Sequence, residues 1–87
     1  MDSSGLTAKL LTLAENLGIE VRFEEMENGK GGLFKLRGRE AILVNDALPA
    51  EEKAEVLADA LSAFDLEGIY VLPEVREFID KSRKKAY

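Results

Sequence analysis

The chain has no cysteine, no histidine and no tryptophan. Those absences exclude disulfides, thiol catalysis, Cys/His zinc sites, Ser-His-Asp triads and imidazole acid–base chemistry. Four Phe and two Tyr leave few platforms for stacking nucleic-acid bases. No stretch approaches the ~20 apolar residues of a membrane-spanning helix. The first residues lack the basic start and apolar run of a signal peptide, so a soluble, cytoplasmic chain is expected. No metal or cofactor is expected either.

Eighty-seven residues and 9.6 kDa make one domain, 1–87. With 46% hydrophobic and 33% charged residues, the composition is that of a folded chain. The net charge of −5 helps solubility and on average repels nucleic acid and anionic membranes. The charge is nevertheless divided into blocks. Residues 1–29 carry two cations and six acids, and residues 46–80 two cations and ten acids. Residues 30–45 set Lys30, Lys35, Arg37 and Arg39 against Glu40 alone, and a basic end, 81–87, carries Lys81, Arg83, Lys84 and Lys85.

Hydrophobic spacing predicts the elements. Leu6, Leu10, Leu13 and Leu17 form one stripe of a helix over about 4–17, capped by Ser3 or Ser4 and ended by Gly18. Ile19, Val21 and Phe23 alternate with charges, as in a half-buried strand. Residues 27–32 contain Asn-Gly and Gly-Gly, which read as a hairpin turn. Phe34 and Leu36 alternate with Lys35 and Arg37 in a second strand, and Gly38-Arg39 reads as a second tight turn. Ala41-Ile42-Leu43-Val44 is apolar on both faces and predicts the best-buried strand. Pro49 at the first helical position opens a second helix with Leu57, Ala60, Leu61 and Phe64 on its core side. Pro73 opens a third, with Val75, Phe78 and Ile79 on one face. The expected fold is α+β in the order α-β-β-β-α-α. It has a three-stranded antiparallel meander with two or three helices packed on one face.

Residues 41–64 carry a family resemblance. A buried strand, Asn45, a Leu-Pro turn and a helix beginning Glu51-Glu52-Lys53 are similar to the core of the ImmA/IrrE-type minimal zincin metallopeptidases. Leu57, Ala58 and Leu61 match the apolar frame of that family's zinc-binding helix. The family's two zinc histidines fall on Asp59 and Ala63, and its general-base glutamate on Ala60. The resemblance therefore implies a catalytically degenerate scaffold. Gly31-Gly32, Leu36-Arg37-Gly38 and the stretch from Tyr70 to Arg76 also resemble small bacterial proteins to which no function attaches.

Other residue groups suggest chemistry and have plainer explanations. Asp46, Glu51, Glu52, Glu55 and Asp59 hold carboxylates at helical spacing, but without the alternating ligands and central glycine of a calcium loop they read as a solvated face. Gly29, Gly31 and Gly32 join two strands, whereas a phosphate loop opens a helix. Lys30, Lys35, Arg37 and Arg39, with Lys81, Arg83, Lys84 and Lys85, suit an anion or an acidic partner. Val75, Phe78, Ile79 and Tyr87 form the expected interaction stripe, whose alternative is packing on the core. The resulting expectation is a non-catalytic protein–protein interaction or self-associating domain, with a homodimer in view. The alternative is a nucleic-acid-associated protein using the basic hairpin and tail.

Overall fold

The computed structural model describes the backbone of residues 3–85 and the side chains of residues 5–83. Helix α1 spans Ser3–Asn16 and buries Leu10, Leu13 and Ala14. Its end follows from Gly18, at φ 76. The Gly18 N–H donates to the Glu15 carbonyl at 3.0 Å, and the Ile19 N–H to the Ala14 carbonyl at 2.9 Å. This paired closure satisfies the last carbonyls and turns the chain sharply. Ile19 is thereby buried, and strand β1 (Glu20–Glu24) follows at once.

Strands β2 (Gly31–Leu36) and β3 (Arg39–Asn45) form an antiparallel hairpin. Leu36 pairs with Arg39, so the turn residues are Arg37 and Gly38, one position earlier than expected. Both have positive φ, 53 and 80, which fits a type I′ turn. Arg37 therefore leaves the strand, and the expected face shared by Lys35 and Arg37 does not form.

The sheet order is β1-β3-β2, with β1 parallel to β3. This corrects the all-antiparallel meander: the sheet is mixed, and β1 does not pair with β2. The reason lies in residues 25–30. Skipping one strand requires about 10 Å, twice the inter-strand spacing, and six residues reach easily where a two-residue turn would not. The loop arches over the end of β3, where Glu24 pairs with Asn45 and Gly31 with Val44. Asn45, 5% exposed, ties it down. Its Oδ1 accepts from the N–H of Met26 (3.2 Å) and Ala47 (3.0 Å), and its Nδ2 donates to the carbonyls of Met26 (3.3 Å) and Gly29 (2.8 Å). Gly31 and Gly32 belong to β2 and not to a turn. At Gly31 a Cβ would stand 2.0 Å from the Leu43 carbonyl oxygen, so only glycine allows the strands to close.

Helix α2 (Ala50–Leu61) lies over β2 and β3, while α1 lies over β1 and against α2. Pro49 is the residue just outside α2, not its first helical position. Helix α3 (Pro73–Lys85) packs on α2 and α1 and touches no strand among the described residues. The domain thus has a sheet, a helical pair and an outer helix. Val21, Ile42 and Val44 face the helices and meet Leu10, Leu13, Leu57 and Leu61.

The same layering settles the third helix. Val75 and Ile79 are 2% and 0% exposed and belong to the core, and Phe78 is half-buried against it. The expected interaction stripe is corrected: the 3–4 spacing that suits a docking face equally suits a core face, and here two helices cover it. Tyr87 lies outside the described residues. The Arg83 guanidinium donates twice to the Ser62 carbonyl, at 3.1 and 3.3 Å, just past the last turn of α2, and so links α3 to α2.

Candidate functional site: the open face of the sheet

Side chains alternate across a strand, so the register assigns the second face of the sheet. Glu20 and Arg22 of β1, Gly32, Phe34 and Leu36 of β2, and Ala41 and Leu43 of β3 all point away from the helices. No element packs over them among the described residues. Phe34, Leu36 and Leu43 are half-buried, flanking Ala41 at 1% exposed, and none of the four belongs to the helix-side core. The alternation of Phe34 and Leu36 with Lys35 thus puts the two apolar side chains on the face away from the helices. Leu33 and Lys35 take the helix side, where Lys35 stands 3.9 Å from its partner Glu40.

This face has two differently charged ends. At the hairpin end lies a hollow of about 670 Å³, lined by Arg22, Arg37 and Arg39 and by Glu15, Glu20 and Glu40, with Ile19, Leu36 and Ala41. Arg22 is occupied: it meets Glu20 at 2.6 Å and Glu24 at 3.9 Å. The Glu20 hydrogen bond, and then its charge, hold the Arg22 guanidinium above its ordinary pKa. Arg37 and Arg39 are exposed and make no ion pair among the described residues. Arg37 is also the one non-glycine described residue with positive φ, a conformation that costs an L-residue roughly 1–2 kcal/mol. At the other end the Asn45-tethered loop presents Glu25 and Glu27, both exposed, with Lys30.

The other expected site residues disperse. Lys30 sits at the loop end of β2, the full length of the strand from Arg37 and Arg39. Arg83 is engaged by Ser62 and by Asp80 at 3.3 Å. Lys81 is exposed on α3, on the helical side of the molecule; the side chains of Lys84 and Lys85 lie outside the described residues. No single basic surface gathers them. Asp59 and Ala63 are exposed, Ala60 is buried, and Ala63 lies beyond the end of α2. Those positions do not share one helix. Among the described residues no group of three or more His, Cys, Asp or Glu side chains is placed to hold a metal ion.

The fold and face define an α+β domain with an open-faced mixed sheet. Compared with protein-family models, curated proteins and solved structures, the chain matches none.

Proposed function

We propose that the protein is a non-catalytic interaction domain whose working surface is the open face of its sheet. One observation carries this reading: Phe34, Leu36 and Leu43 form an apolar strip with no layer over it among the described residues. A sheet face left to water favours polar alternation, and an apolar strip rimmed by charge has the composition of an interface. The dispersal of the lysines and arginines argues against a tracked phosphate backbone.

Photo-crosslinking tests the surface. A photoreactive residue replaces Leu43, or, as a control on the helical side, the exposed Glu51. Cells producing each variant are then irradiated. Discrete adducts from position 43 and none from position 51 are expected. Equal labelling, or none from position 43, overturns the assignment of the surface.

A further inference from the structure

We infer that the occupant of the open face is a second copy of this chain, packed face to face and antiparallel about a two-fold axis. The inference rests on the interaction-domain reading and names its partner. The face is self-complementary in charge. Arg37 and Arg39, without an ion pair among the described residues, stand at one end, Glu25 and Glu27 with the single cation Lys30 at the other, and the apolar strip of Phe34, Leu36 and Leu43 lies between them. A two-fold axis through the strip places each acidic loop over the partner's arginines, so every contact occurs twice. Two sheets stacked in this way sit about 10 Å apart with their inner side chains interlocked.

The loop is held in position for this role. Asn45 follows Ala41 and Leu43 on the open side of β3, and its amide fixes residues 26 and 29 there. The hairpin end carries its own mark. A type I′ turn favours Asn at its first position, yet Arg occupies it at φ 53. A strained backbone that keeps a free guanidinium at the rim of a hollow is strain placed where a contact uses it. Three carboxylates line the same hollow: Glu20 pairs with Arg22 at 2.6 Å, Glu40 lies 3.9 Å from Lys35, and Glu15 is left against Arg37 and Arg39, which have no ion pair among the described residues.

Size sets the expected strength. The three strands offer a face of about 14 by 20 Å, well short of the ~800 Å² per partner of a standard stable interface. The charged ends must supply much of the contact. The pair is therefore weak, with Kd about 10–100 μM, and salt-sensitive.

Sedimentation equilibrium from 5 μM to 1 mM measures it. The wild-type chain is expected to dimerise, with Kd rising about tenfold between 50 and 500 mM salt. Arg37→Glu with Arg39→Glu makes one homodimer repulsive, and Glu25→Lys with Glu27→Lys makes the other so. Each double variant should be monomeric alone, and an equimolar mixture should regain the dimer, because both contacts in the mixed pair are attractive. Arg37→Asn is the control for folding. It should raise the thermal midpoint by several degrees while weakening the dimer about threefold or more. A wild-type monomer at 1 mM, or double variants whose mixture stays monomeric, overturns the inference. If position 43 still crosslinks to a chain of different mass, the docking face stands and only the homodimer falls. If it does not, both readings fall.

Discussion

Replacing Asn45 with Ala should loosen the fold at one defined place. The side chain makes four hydrogen bonds, between 2.8 and 3.3 Å, to the backbone at residues 26, 29 and 47. Each contributes about 0.5–1.5 kcal/mol net, and a group left buried without a partner costs more. Gly29 and Ala47 are exposed, so water replaces part of the loss there, whereas Met26 is half-buried. The expected cost is about 2–3 kcal/mol. A domain of this length has roughly 4–13 kcal/mol in all. At about 4–8 °C per kcal/mol, the midpoint should fall by roughly 10–20 °C. Urea denaturation followed by circular dichroism measures the free energy. Hydrogen exchange then shows where it is lost: the amides of residues 20–24 should lose protection well before those of the β2–β3 hairpin. A loss below about 0.5 kcal/mol, or one spread evenly over the sheet, would refute the assignment of Asn45 as the tether. Asn45→Asp keeps the two accepted bonds and turns a carboxylate toward two carbonyls. Its penalty should shrink at acid pH, where the protonated carboxyl can donate.

Two further substitutions test the fold. Gly31→Ala drives a Cβ into the Leu43 carbonyl and should cost about 3 kcal/mol or more, whereas Gly29→Ala, with nothing within 4 Å, should cost only its backbone strain of about 1 kcal/mol. Equal melting temperatures for the two would show that β2 and β3 do not approach so closely. Ile79→Ala should lower stability by about 2–5 kcal/mol with no effect on dimer affinity beyond the unfolded fraction, as calorimetry and sedimentation on one sample would show.

The elements were legible because their signals are local. The leucine stripe of α1, the glycine that ends it, Pro49 just before α2 and Pro73 at the start of α3 all act within a turn or two of the chain. Strand neighbours are not local. The alternation of Val21 and Phe23 defines two faces but no partner, and the Asn-Gly in residues 25–30 imitates a hairpin. One signal pointed the right way. Residues 41–44 are apolar on both faces, as a central strand should be, and a meander would have left that strand at an edge. The faces of β2 went the other way for a similar reason. Phe34 and Leu36 look like the buried pair beside Lys35, yet the pairing of Lys35 with Glu40 turns them outward. Of the site's charged residues, Arg37, Arg39 and Lys30 stand out in the sequence as cations of a basic hairpin. That Arg37 and Arg39 share one face with the loop carrying Glu25 and Glu27 follows from sheet order, which composition and spacing do not encode.

The parallel pairing of β1 with β3 also sets an order of events. The hairpin, α2 and α3 follow one another along residues 31–85, and much of their contact is between sequence neighbours. The β1–β3 ladder instead joins residues 21 positions apart, as Glu20 to Ala41, and requires a loop to close first. Residues 3–24 are therefore expected to dock after the hairpin, which pulse-labelled hydrogen exchange during refolding would show as late protection of residues 20–24. When the 25–30 loop lets go, α1 and β1 leave together and bare one edge of β3. An edge exposed in that way accepts the same strand from another molecule as readily as its own, so the Asn45 amide also guards the chain against exchanging its first helix and strand between copies.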